Sequence, residues 1–159
     1  MDRPTLYIET SIVSYLASDL SRHPVSLRNQ QLTHAWWNTR RHEYALYTSR
    51  AVLDEIERGD PVMAARRMTL LATIPVMELK DPELLLARTL QQQIPLPARA
   101  KDDALHIAAA ATHGIGYLLT WDQKHIANPR LEARVGRILL AHGYVPPVLA
   151  TPIDLMENA

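Results

Sequence analysis

Short apolar runs alternate along this chain with longer segments of helical periodicity. Leu6-Tyr7-Ile8 follows Pro4-Thr5 and stops at Glu9-Thr10-Ser11, which predicts a strand ending at Glu9. Thr10 or Ser11 then caps a helix carrying Ile12, Val13, Tyr15 and Leu16. After a polar loop around Ser21 to Pro24, residues 27–42 contain no breaker and place Leu32, Ala35 and Trp36 at helical spacing. Tyr44-Ala45-Leu46-Tyr47-Thr48 reads as a second strand. Ser49 caps the following helix, whose apolar positions are Val52, Leu53 and Ile56 and which Gly59 ends.

Asp60-Pro61 opens a further helix with Met63, Met68, Leu70 and Leu71 on its apolar side. Ile74 to Leu79 is expected as a third strand, and Asp81-Pro82 starts a helix towards Gln93. Pro95, Pro97 and Lys101 mark a loop. Asp102-Asp103 then leads the helix Ala104 to Ala111, ended by Gly114, with four consecutive alanines that imply close packing. Tyr117-Leu118-Leu119-Thr120 is a fourth strand, and Asp122 follows it in a turn. A last amphipathic helix carries Leu131, Val135, Ile138, Leu139 and His142 on one stripe, beside Arg130, Arg134 and Arg137. Repeated strand-then-helix units predict a three-layer α/β/α domain around a parallel sheet of four to five strands. No linker, repeat or low-complexity segment divides residues 1–159.

Composition narrows the chemistry. The chain has 159 residues, 47% of them hydrophobic, enough for a real core in one domain. Cysteine is absent, which excludes disulfides, thiolate zinc sites and a cysteine nucleophile. Seventeen basic and seventeen acidic residues leave no global field to attract polyanions, so a nucleic-acid partner must be held locally. Met1-Asp2-Arg3-Pro4 lacks the features of a signal peptide, and the apolar stretch from Ile107 to Trp121 is interrupted and too short to span a bilayer. A cytoplasmic protein with no membrane partner is expected.

In parallel α/β sheets, ligands bind beyond the carboxyl ends of the strands. Acids occupy those positions here: Glu9 after strand one, Glu55 on the helix after strand two, Asp103 at a helix start before strand four, and Asp122 after strand four. Four converging carboxylates repel one another unless cations neutralise them, and hard oxygen donors suit Mg²⁺ or Mn²⁺. Taken singly, an acid near a helix start simply complements the helix dipole. Asp54 and Asp102 are the neighbours from which Glu55 and Asp103 must be told apart, because adjacent helical residues point about 100° apart.

With their neighbours, these acids form "LYIETS", "SRAVLDEIERG", "DDALHIAAA" and "YLLTWD", in that order from Leu6 to Asp122. The set resembles the PIN-domain ribonucleases of the VapC toxin type. The resemblance implies metal-assisted hydrolysis of RNA phosphodiesters, with Glu9, Glu55, Asp103 and Asp122 as metal-binding catalytic residues. Thr10, Ser11, Ser49, Thr120 and His106 are candidates to orient the carboxylates or water; Ser and Thr at strand ends ordinarily act as caps, and a histidine on an alanine-rich helix ordinarily belongs to the core. It further implies the toxin of a type II toxin–antitoxin pair, a homodimer inhibited by a small antitoxin. One departure stands out. The family usually has Asp where this chain has Glu9, one methylene longer, so Glu9 binds through water, favours Mn²⁺, or spoils the site and leaves an RNA- or protein-binding module.

Other features carry less. The "HIANP" stretch that begins at His125, after Asp122 and Lys124, lies outside the general family pattern. Trp36-Trp37 and Trp121 can stack on bases, although helix packing accounts for the pair. The Arg130, Arg134 and Arg137 row and the Lys101, Lys124 and His125 group can meet phosphates, as can any solvated basic face. His106 and His113 lack a third ligand at zinc spacing. Gly114-Ile115-Gly116 precedes a strand rather than following one, which speaks against dinucleotide binding, and there is neither a P-loop nor a nucleophile elbow.

Overall fold

The computed structural model describes residues 2–157. Five parallel strands, β1 (Thr5–Ile8), β2 (Ala45–Ser49), β3 (Val76–Met77), β4 (Tyr117–Leu119) and β5 (Val148–Ala150), form one sheet in the order β3-β2-β1-β4-β5. Leu6, Tyr7 and Ile8 are 0% exposed. That continuous apolar run is what a central parallel strand covered on both faces requires. Its register pairs Leu6 with Leu46 and with Tyr117, and Ile8 with Leu119.

Helices flank the sheet: α1 (Thr10–Ala17), α2 (Pro24–Arg40), α3 (Arg50–Glu57), α4 (Pro61–Leu71), α5 (Asp81–Gln93), α6 (Lys101–Thr112), α7 (Pro129–Ala141) and α8 (Pro152–Glu157). The α/β/α architecture is as expected, with local differences. β1 stops at Ile8, and Glu9 itself is the N-cap of α1, without a side-chain cap bond. The Thr10 and Ser11 hydroxyls therefore do not cap it; they are spent on carboxylates. The expected third strand shrinks to Val76–Met77, because Pro75 has no amide to give to a ladder. β5 and α8 follow the helix that the periodicity made the last one. Ser49 caps α3 as expected, accepting from the Ala51 amide at 3.2 Å.

Ala108, Ala109, Ala110 and Ala111 are all buried, and their small side chains let α6 lie close in the core while α5 packs along it. Among the described residues, no helix is long and apolar enough to cross a membrane.

The start of α5 is held by Glu83, whose carboxylate accepts from the Lys80 amide at 2.7 Å and lies 3.5 Å from His113 Nε2. Burial works to raise the Glu83 pKa, but the backbone amides, the Thr112 hydroxyl and His113 outweigh it and hold it below the ordinary value. A depressed carboxyl pKa contributes stability above the unfolded pKa and loses it as pH falls through the folded one. Glu83→Gln is therefore expected to cost roughly 0.5–1 kcal/mol at pH 7. In denaturant melts, the gap to wild type should close as pH falls below the ordinary glutamate range; a gap independent of pH would contradict the charged cap.

Candidate active site

The strand order reverses between β1 and β4, the position at which a parallel sheet opens a crevice beyond its carboxyl ends. Glu9 leaves β1 there, its amide donating to Leu119 O at 3.2 Å, and Thr120-Trp121-Asp122 leave β4 beside it. α3 brings Glu55 and α6 brings Asp103. All four expected acids line one cavity of about 420 Å³, together with Thr10, Ser11, Ser14, Tyr15 and Trp121.

Helical phase separates the chosen acids from their neighbours. Val52, Leu53 and Ile56 face the core, which leaves Asp54 exposed and Glu55 half-buried at the rim. Asp102 turns outward to pair with Arg58 at 2.8 Å, while Asp103 points into the cavity.

Two clusters share the cavity. In the first, Glu9 is buried and its Oε1 accepts from both Ser11 Oγ and Thr120 Oγ1 at 2.5 Å. Glu55 Oε1 accepts from Thr10 Oγ1 at 2.9 Å and from His106 Nε2; the same nitrogen lies 3.8 Å from Glu9 Oε2. Burial works to raise the Glu55 pKa, yet the His106 bond and charge, with help from Thr10 and Arg58, bring it below the ordinary value. His106 shifts upward, since Glu55, Glu9 and Asp103 outweigh a burial that alone would lower it.

The second cluster joins Asp103, Asp122 and His125. Asp122 Oδ1 accepts from the amides of Lys124 (3.0 Å) and His125 (2.9 Å), a turn that folds His125 back so that Nδ1 lies 3.0 Å from Asp103 Oδ2. Burial, then the charge and shared hydrogen bond of Asp122, raise the Asp103 pKa to about 8. Two carboxyl groups this close hold one proton between them.

Ligand-type atoms of Glu9, Glu55 and His106 lie within 4.8 Å of one another, as do those of Asp103, Asp122 and His125. The donor set fits a hard divalent cation. A facing carboxyl pair that retains a proton at neutral pH is a pair a cation would relieve, and the oxygens match Mg²⁺ or Mn²⁺.

The hydroxyl candidates fall into place: Thr10, Ser11 and Thr120 touch the carboxylates, whereas Ser49 lies behind them, against Tyr7. His106 is 0% exposed, so it does not reach a substrate phosphate. It is at once a core residue and a partner of Glu55. Trp36 belongs to the core. Trp37 packs beneath the Arg41 guanidinium at 4.8 Å. Trp121 forms a cavity wall, with Nε1 donating to Thr33 at 2.7 Å and its ring edge-on to Tyr15. Arg130, Arg134 and Arg137 are exposed along α7. Sequence reasoning did not connect Tyr7 to the site, or His125 to Asp103; the alternation pattern marks Tyr7 only as core, and a turn has no periodicity from which to read a contact.

No protein-family model matches the sequence, and no curated protein does. Solved structures are similar in fold. VapC20 of Mycobacterium tuberculosis, described as a sarcin–ricin loop cleaving toxin, superposes with a TM-score of 0.60 at 17% identity, over 89% of this chain and 97% of that one. A chain of VapBC2 from Rickettsia felis, solved bound to a DNA fragment from its promoter, gives 0.54 at 13% identity over 92% and 98%. A chain of VapBC-1 from nontypeable Haemophilus influenzae gives 0.53 at 12% over 94% and 98%. The chain thus has the PIN-like α/β/α fold of these VapC-type toxin structures.

Proposed function

We propose that the chain is a divalent-metal-dependent endoribonuclease, the toxin of a type II toxin–antitoxin pair. The observation that carries this reading is the convergence of Glu9, Glu55, Asp103 and Asp122 on one cavity at the switch point between β1 and β4. The fold likeness to toxins that include an RNA-cleaving one supports it.

Asp103 and Asp122 would hold the cation, Mg²⁺ or Mn²⁺, with Glu9 and Glu55 joining directly or through water. When bound, such a cation lowers the pKa of water and stabilises negative charge building on a phosphodiester. The residues supply position. Ser11 and Thr120 fix the Glu9 carboxylate, Thr10 holds that of Glu55, and the turn at Asp122 fixes its own carboxylate against the Lys124 and His125 amides. These bonds hold the carboxylate oxygens in place, so that little reorganisation would be needed when they take up the cation. Trp121 and Tyr15 wall the cavity with aromatic surface beside which a nucleotide can lie. The buried anchoring of Glu9 supports a working site rather than a binding module that has lost its chemistry. By the same reading the partners are RNA and a small antitoxin, the protein works as a homodimer, and its location is the cytoplasm.

The test is direct. Purified protein and labelled RNA are expected to give discrete fragments with Mg²⁺ or Mn²⁺ and none with excess chelator, while Asp54→Asn, on the exposed side of α3, cleaves like wild type. Cleavage unaffected by chelator, or none with either ion, overturns the proposal.

A further inference from the structure

Behind the cavity runs a chain of buried polar groups that the reaction above does not use. The Ala51 amide, at the start of α3, donates to Ser49 Oγ at 3.2 Å. The Ser49 hydroxyl lies 2.6 Å from the Tyr7 hydroxyl, which lies 2.7 Å from His106 Nδ1. His106 Nε2 closes the chain on Glu55 Oε1, on the same helix where it began. Ser49, Tyr7 and His106 are all 0% exposed. The Tyr7 ring also meets the imidazole edge-on, with centroids 5.7 Å apart.

The chain is satisfied in one direction. If Ser49 donates to Tyr7 and Tyr7 donates to Nδ1, every hydroxyl proton has an acceptor, and the Nε2 proton goes to Glu55. Such alignment matters in a core, where a polar group left without its bond keeps its full desolvation penalty. Both the neutral Nε2–H ring and the imidazolium donate to Glu55, so the contact does not depend on the charge of the ring.

A histidine needed only for packing has no reason to end on a carboxylate that lines a reaction cavity. His106 also lies one turn after Asp103 on α6, so its bond ties the helix bearing Glu55 to the helix bearing Asp103. Arg58 to Asp102 joins the same two helices, but that pair is exposed and correspondingly weak.

We propose that His106, held from behind by Tyr7 and Ser49, is a positioning residue that fixes the Glu55 carboxylate relative to Asp103 for cation binding and RNA cleavage. The proposal rests on the nuclease reading and adds to it a buried support spanning β1, β2, α3 and α6. His106 never touches substrate. Its loss should therefore lower kcat and cation affinity and leave KM for RNA unchanged.

Two isosteres separate the contacts. Gln can place an amide N–H near the Nε2 position and still donate to Glu55; Asn reaches only the Nδ1 position and keeps Tyr7 alone. Mn²⁺ affinity by calorimetry, kcat and KM on labelled RNA, and thermal melting are measured for wild type, His106→Gln, His106→Asn and Tyr7→Phe. Expected is a loss of about 10–100-fold in Mn²⁺ affinity and kcat for His106→Asn, recovery to within a few fold for His106→Gln, and an intermediate loss for Tyr7→Phe. If the Gln and Asn variants lose activity equally and in step with their melting temperatures, or if neither changes kcat or Mn²⁺ affinity, the proposal is overturned while the nuclease reading stands. A wild type that neither binds Mn²⁺ nor cleaves RNA overturns both.

Discussion

Asp103→Asn is expected to lower RNA cleavage by about 10³-fold while making the metal-free protein more stable at alkaline pH. Both effects come from one carboxylate. Asp103 faces Asp122 in a half-buried cluster, and its pKa is raised to about 8 first by burial and then by that neighbour. In the unfolded chain the same group ionises near 4. Between those values the folded state holds a proton that the unfolded state has released, so stability falls as pH rises from about 4 to about 8, by at most about 1.4 kcal/mol per unit. Asparagine keeps the shape and, like the protonated acid, can donate to Asp122, but it has no proton to lose. With chelator present, the melting temperatures of variant and wild type should therefore nearly coincide at about pH 4 and separate in favour of the variant as pH rises towards 8. The same substitution removes an anionic oxygen donor from the cavity, hence the loss of cleavage. Retained cleavage would remove Asp103 from the site; a wild-type melting temperature that does not fall with pH would contradict the shared proton.

Much of this was legible from residue order. Leu6-Tyr7-Ile8 has no polar position to give to solvent, which suits the central place β1 takes in the sheet, and a central strand puts the acid that follows it at the middle of the sheet edge. The sequence left Asp54 as the rival of Glu55, and it is the helical phase in the structure, with Val52, Leu53 and Ile56 buried, that leaves Asp54 exposed. β5 was harder. Val148-Leu149-Ala150 is only three residues long and sits between Pro146-Pro147 and Pro152, so the signals that mark breakers swamped a short edge strand. The double nature of His106 was hidden for another reason: its alanine-rich helix predicts burial correctly, but periodicity cannot say what a buried imidazole bonds to. His125 reaches Asp103 only because a turn at Asp122 reverses the chain, and neither spacing nor alternation encodes that. The folding rules thus placed the acids, whereas the groups that hold and neutralise them emerged only with three-dimensional contacts.

The shared proton also sets how tightly a cation should bind. A cation entering between Asp103 and Asp122 needs both ionised, and below pH 8 it must displace the proton that Asp103 retains. Affinity for Mn²⁺ is therefore expected to rise about tenfold per pH unit between pH 6 and 8 and then level off, with about one proton released per ion at pH 7. Calorimetry in buffers of different protonation enthalpy measures that proton count. At a free concentration of one hundred times Kd, the ion should stabilise the fold by about 2.7 kcal/mol, and chelator should reverse the gain. Asp122→Asn provides the control for cause. It removes the charge that, after burial, does most to raise Asp103, so the residual affinity of this variant should be weaker overall but should level off at lower pH. An unchanged slope in that variant would assign the retained proton to burial alone, and a wild type binding Mn²⁺ equally at pH 6 and 8 would show that the ion does not enter between these two carboxylates.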